Sequence, residues 1–87
     1  MNSNNNVTTD RADRPLVRAD IEQLILSVGG SNKLDVSGQN LQEIDLSVTR
    51  LSGARFNKAN LSGANLSEAD LTGASLSEAN LLGANLS

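Results

Sequence analysis

An 87-residue chain with a single aromatic residue, Phe56, and neither cysteine nor histidine excludes disulfides, thiolate metal sites, a Cys nucleophile and a His general base. Its formal net charge of −3 argues against direct nucleic-acid binding through a basic surface, and no apolar run approaches the ~20 residues that cross a bilayer. We therefore expect a small cytoplasmic protein without catalytic, cofactor-binding or metal-binding residues and without membrane contact.

The first segment, residues 1–14, holds almost no apolar side chains and begins without the layout of a secretory signal. Such a segment cannot bury enough surface to offset the entropy lost on ordering. We expect it to be a disordered tail.

Residues 15–30 are predicted to form one short capping helix with its stop signal. The apolar residues recur at helical spacing on one face: Val17, Ile21, Leu24, Ile25 and Val28. Pro15 suits a helix start, and Gly29 suits the left-handed residue that often ends a helix. A helix of about 12 residues is marginal alone, so its apolar stripe needs cover. We expect the adjacent repeats to supply it, with a groove on a partner protein as the alternative.

From residue 34 the sequence repeats with a period of five and never slips. The central apolar residues are Val36, Leu41, Leu46, Leu51, Phe56, Leu61, Leu66, Leu71, Leu76, Leu81 and Leu86. Two residues earlier stand small residues in the later units: Ala54, Ala59, Ala64, Ala69, Ala74, Ala79 and Ala84. The first four units carry other residues at that place: Leu34, Gln39, Ile44 and Thr49.

A five-residue period fits neither a straight helix nor a straight strand. In a helix each repeat would turn the apolar residue by about 140°, and in a strand it would flip to the opposite face, because five is odd. Within one unit, however, the small and central residues lie two apart and share a side. Each unit therefore predicts a short extended piece followed by a corner, with glycine at alternate corners: Gly53, Gly63, Gly73 and Gly83.

The run ARFNKANLSGANLSEADLTGASLSEANLLGANLS, from Ala54 to the end, resembles the pentapeptide-repeat family. The resemblance implies an all-β solenoid over residues 34–87, a right-handed quadrilateral β-helix of just under three coils with four units in each coil. It also implies a structural core that includes Phe56, Leu61, Leu66, Leu71, Leu76, Ala59, Ala64, Ala69 and Ala74. The first four units depart from the family pattern, and we expect Leu34 and Ile44 there to meet the capping helix.

Residues 20 apart should then stack in columns along the outer surface. Basic residues would face acidic ones in the pairs Asp35 with Arg55, Arg50 with Asp70, and Lys58 with Glu78. Another column is an amide ladder of Asn40, Asn60 and Asn80. We interpret these columns as structural.

The last unit stops at Ser87 without a charged cap, and Leu82 replaces a polar residue at an outward position. An uncovered coil exposes apolar side chains and unpaired backbone groups. Leu81, Leu82 and Leu86 are therefore the candidate end-to-end interface, and we favour a homodimer through the C-terminal coil. A truncated chain and a frayed monomer are the alternatives.

The resemblance favours a non-catalytic structural or protein-protein interaction module whose protein partner is unknown. One alternative is a DNA mimic that binds DNA gyrase, as in the quinolone-resistance branch of the family, although few unpaired acids are available here. Another is a targeting module attached to a larger enzyme or channel.

Overall fold

The computed structural model describes residues 14–87. Its first element is the helix α1, Arg18–Val28, followed by a short 3-10 helix, Ser31–Lys33. From residue 35 onward the described chain forms isolated parallel bridges and turns, and no residue in 14–87 belongs to a continuous β-strand. The predicted tail, apart from Arg14, lies outside the described residues.

The bridges set the register of the repeats. Each joins two residues 20 apart: Asp35 with Arg55, Asn40 with Asn60, Asp45 with Asn65, Arg50 with Asp70, Arg55 with Ser75, Asn60 with Asn80, and Asn65 with Asn85. Four units of five residues thus complete one turn of the chain, which we call a coil. The last coil is residues 68–87, and it stacks on residues 48–67.

Three kinds of backbone hydrogen bond join consecutive coils. Two of them run from an N–H of one coil to an oxygen of the next: Phe56 N–H donates to the oxygen of Ser75 at 2.7 Å, and Lys58 N–H donates to the oxygen of Ser77 at 2.8 Å. In the opposite direction, the N–H of Ser75 donates to the oxygen of Ala54 at 2.9 Å. A corner after every short extended piece leaves one bridging residue per unit, which is why pairing takes the form of single bridges rather than strands.

Each corner is a turn closed by a hydrogen bond from the small residue back to the preceding central residue, such as Ala59 N–H to Phe56 O at 3.0 Å. The third residue of every such turn has a positive φ, as a type II turn requires. Glycine fills this place at Gly38, Gly53, Gly63, Gly73 and Gly83, but other residues fill it at Glu43, Val48, Lys58, Glu68 and Glu78. The left-handed conformation is therefore a property of every corner, and not only of the glycine corners.

The core runs along the axis of the stack. The buried hydrophobic residues are Ile21, Leu34, Val36, Leu41, Ile44, Leu46, Leu51, Ala54, Phe56, Ala59, Leu61, Ala64 and Leu66. Four residues expected in the core, Leu71, Leu76, Ala69 and Ala74, are only partly buried. They belong to residues 68–87, above which the described residues supply no further coil.

The helix begins at Arg18, three residues later than Pro15, because the preceding residues are extended. The N–H of Leu16 donates to the oxygen of Asn40 at 2.9 Å, which holds this segment against the first, incomplete coil, residues 34–47. Asp20 accepts the N–H of Val17 at 3.0 Å and so caps the first turn. At the other end, Gly29 has a φ of 93° and its N–H bonds Ile25 O at 3.0 Å.

The expected five-residue stripe on α1 needs correction. Ile21 is fully buried and Ile25 is packed against the core, but Val17, Leu24 and Val28 are exposed. Val17 and Val28 stand at the two ends of a short helix, beyond the line of contact, and Leu24 stands on its flank. Leu16, before the helix, packs against the core as well.

Candidate interaction surfaces

The side faces of the stack carry Asp and Asn residues that are already engaged in local hydrogen bonds. Each accepts the backbone N–H two residues later at 3.0–3.2 Å: Asp35, Asn40, Asp45, Asn60, Asn65, Asp70, Asn80 and Asn85. This is the Asx turn, in which the side chain organises the corner that follows it. In six of these eight cases Ser or Thr stands two residues after the Asp or Asn, a spacing that signals this role in the sequence, but the prediction of columns did not include it.

The predicted amide ladder is present in part. Asn60 Nδ2 donates to Asn40 Oδ1 at 3.3 Å and lies 3.4 Å from Gln42 Oε1. Asn80 is bridged to Asn60 through the backbone, and its side-chain oxygen accepts the N–H of Leu82, with no amide-to-amide bond to Asn60. The column therefore stacks in the expected register with one amide-to-amide bond.

The pKa values of Asp35, Asp45 and Asp70, whose carboxylates accept the Asx-turn bonds, are lowered, which favours their ionised form. In Asp70 the Thr72 hydroxyl, at 2.7 Å, and the Thr72 N–H lower the pKa below its ordinary value, and the charge of Arg50 contributes less. The pKa of Asp45 is lowered in the same way by Ser47, with a smaller effect of Arg18. These acids have a structural role at the corners, because their charges are stabilised by neighbours within the same unit.

The predicted acid-base columns have the right register but do not form close ion pairs. Asp35 and Arg55, and likewise Arg50 and Asp70, are backbone bridge partners. Among the described residues, Arg18 makes ion pairs instead, with Glu22 at 3.2 Å and with Asp45 at 3.6 Å.

Charge is arranged in blocks along the repeats. Asp35, Glu43 and Asp45 come first, then Arg50, Arg55 and Lys58, then Glu68, Asp70 and Glu78. The last coil consequently has three acidic residues and no basic residue, while the coil beneath it has three basic residues and no acidic one.

The N-terminal edge of the stack, which is the side of the first coil that faces α1, is covered. Besides the bond from Leu16, Arg18 Nη1 donates to the oxygen of Asp45 at 3.2 Å, and Ser31 Oγ donates to the oxygen of Ser52 at 2.9 Å. These donors satisfy carbonyl groups that have no coil below them. The edge is therefore closed both by apolar packing and by hydrogen bonds.

The opposite end, which we call the open face, is the C-terminal side of the last coil. Leu82 is 78% exposed and Leu86 is 54% exposed, while Leu81 is partly buried. Within the described chain, seven N–H groups here meet no acceptor: those of Leu71, Gly73, Leu76, Glu78, Leu81, Gly83 and Leu86. Their counterparts one coil earlier donate to the coil above, as Leu51 does to Asp70 O at 2.8 Å. The open face thus presents an unpaired edge beside apolar side chains.

Two surface clefts lie near the N-terminal end of the stack. One, of about 690 Å³, lies along the outer side of α1 and is lined in part by Leu16, Leu24 and Leu26. The other, of about 460 Å³, lies between residues 14–18 and residues 42–45. Over residues 14–87 no group of three or more acidic, His or Cys residues could hold a metal ion, and no helix is long and apolar enough to cross a membrane.

The family model described as pentapeptide repeats matches residues 34–67 and 54–87, which together span the whole periodic region. The chain belongs to the pentapeptide-repeat family. Members of this family are typically structural or interaction modules rather than enzymes, and their repeats generally form a right-handed β-helix. No curated protein and no solved structure matches the chain.

Proposed function

We propose that this pentapeptide-repeat protein is a non-catalytic protein-interaction module that binds its partner through the open face. The family supports a non-catalytic role. Repeat proteins of this kind present a rigid surface whose coils contact only their neighbours, so the terminal coil is the natural place for a partner to extend the stack.

The observation that carries this proposal is the difference between the two ends. The N-terminal edge is covered by α1 and its hydrogen bonds, whereas the open face leaves backbone donors unpaired around Leu82 and Leu86. An exposed edge of this kind is a template for pairing with another polypeptide.

The side faces support the gyrase-binding alternative less well. Duplex DNA carries about one negative charge per 1.7 Å of its axis, without interruption. Here the basic block of Arg50, Arg55 and Lys58 separates two acidic blocks. This pattern does not resemble a continuous polyanion, so we do not propose DNA mimicry.

For the fold, we propose the right-handed quadrilateral β-helix that is typical of the family. The 20-residue register and the turn in every five-residue unit support four faces. A crystal structure with four faces and right-handed winding is the expected result, and left-handed winding would contradict it.

The interaction is tested by capture from a lysate of the source organism with the tagged full chain, followed by mass spectrometry. We compare Leu82→Glu, at the open face, with Val48→Glu, at an exposed side corner. The Val48 change is a matched control because Glu43, Glu68 and Glu78 occupy equivalent corners with similar φ values. We expect specific proteins to be captured by the natural chain and by the control but lost with Leu82→Glu. Capture that is the same for both variants, or no specific capture, would contradict the proposal.

A further inference from the structure

We propose that the open face binds a cationic polypeptide segment that is extended along each side of the coil, turns at the same corners, pairs with the free backbone groups of the coil and sets Lys or Arg side chains over Glu68, Asp70 and Glu78. This proposal rests on the proposed interaction function and names the chemistry of the partner.

The alternation of charge between coils is the first argument. Asp70 and Glu78 lie 20 residues, or one coil, after Arg50 and Lys58 in the sequence. These two acids of the last coil therefore each have a basic residue beneath them. Neighbouring coils are about 4.8 Å apart, a distance at which opposite charges attract and like charges directly opposite destabilise pairing. On their other side these acids have no counterpart, so a basic segment continues the alternation.

The backbone is the second argument, because it defines the shape of the partner. The free N–H groups of Leu71, Gly73 and Leu76 recur at the spacing of the bonded groups one coil earlier. A chain places carbonyl groups against these donors when it is extended along each side of the coil and turns at the corners, as Gly73 does here. Partly buried Leu71, Leu76 and Leu81 also require apolar residues on the inward side of that chain.

A second copy of this protein is a poorer fit to the same surface. Its own open face would bring Glu68, Asp70 and Glu78 against the same three residues, with no basic residue in either last coil. Its N-terminal edge is unsuitable too, because α1 covers it. Screening by salt would strengthen such a dimer, whereas it would weaken the complex with a cationic segment.

The chain itself supplies a suitable probe. A synthetic peptide of residues 48–67 contains Arg50, Arg55 and Lys58, no acidic residue, and the inward residues that already pack beneath the last coil. The matched control is the same peptide with Arg50→Glu, Arg55→Glu and Lys58→Glu. Binding of each labelled peptide to the 87-residue protein is measured by fluorescence anisotropy at low and high salt, and light scattering of the protein alone measures its oligomeric state.

We expect the basic peptide to bind at least about tenfold more tightly than the control at low salt, and to lose about tenfold in affinity at high salt. The protein with Glu68→Gln, Asp70→Asn and Glu78→Gln should stay folded by circular dichroism and lose this preference. Three results would overturn the proposal: no binding of the basic peptide, equal binding of both peptides, or a dimer that strengthens with salt and is dissolved by Leu82→Glu. Partner capture that is sensitive to Leu82→Glu could persist after such a failure, so the proposed function is judged separately.

Discussion

Val48 occupies a corner whose backbone conformation does not suit its side chain. Its φ is 61°, a left-handed conformation that is unfavourable for a side chain branched at Cβ. The turn that it belongs to is closed by a bond of 3.4 Å from Thr49 N–H to Leu46 O, while the equivalent bonds of Gln39 and Ala54 are 3.1 Å. The loosest corner therefore coincides with the residue least suited to it.

Replacing Val48 with glycine should stabilise the protein. The change removes a conformational penalty of roughly 1–2 kcal/mol and increases the entropy of the unfolded chain by a smaller amount, so we expect a net gain of about 0.5–1 kcal/mol. Little burial is lost, because Val48 is 68% exposed. Urea unfolding measures the gain, and Val48→Ala, which keeps a Cβ atom, should gain less. A destabilised glycine variant would contradict this account of the corner.

The Asp residues of the corners make stability depend on pH. A carboxyl whose pKa is lower in the folded state contributes stability above its unfolded pKa, and this contribution is lost as the pH falls toward the folded value. Asp35, Asp45 and Asp70 all have lowered pKa values for this reason. We expect the melting temperature to decrease once the pH is lowered below about 4, which is near the ordinary pKa of Asp.

Asparagine gives a matched test, since Asn60, Asn65, Asn80 and Asn85 form the same turn without titrating. The Asp70→Asn variant should keep its fold at neutral pH and show a shallower loss of melting temperature in acid. An unchanged acid profile would show that this carboxylate does not contribute.

At the scale of elements, the capping helix concentrates its stabilising contact in a few residues. Ile21 is fully buried, whereas Leu24, on the same predicted stripe, is 38% exposed. Ile21→Ala should therefore cost about 2–4 kcal/mol of unfolding free energy, and Leu24→Ala clearly less. Chemical denaturation of the two variants compares them directly. Equal losses would mean that the helix lies on the first coil through a different face.

The sequence predicted the repeats better than it predicted the helix. The five-residue period determines which side chains point inward and which residues share a column, so the 20-residue stacking that the family resemblance implies agrees with the bridges. A helical stripe indicates only which residues share a face of the helix. It does not indicate how much of that face contacts the repeats, and therefore Val17 and Val28 were expected to be covered by them. The left-handed Glu43, Glu68 and Glu78 were also missed, although the five-residue period puts them at the same place in the repeat as the corner glycines.

At the scale of the whole molecule, the two ends have different consequences for stability. Each coil is stabilised by its neighbours, so the coil with one neighbour should open most easily. Partly buried Leu71 and Leu76 agree with this expectation. The sequence indicated the exposed Leu82, but the hydrogen bonds from Arg18 and Ser31 that close the other end depend on long-range contacts that no local pattern reveals.

Amide hydrogen exchange of the dilute 87-residue chain, measured residue by residue by NMR, is the most direct test of this architecture. The N–H groups of Leu51 and Phe56 are bonded to the next coil, and those of Leu71 and Leu76, one coil later, are not. We expect strong protection of the first pair and exchange of the second pair close to the rate of an unstructured chain. Equal protection of all four would contradict the stacked coils with an open last face.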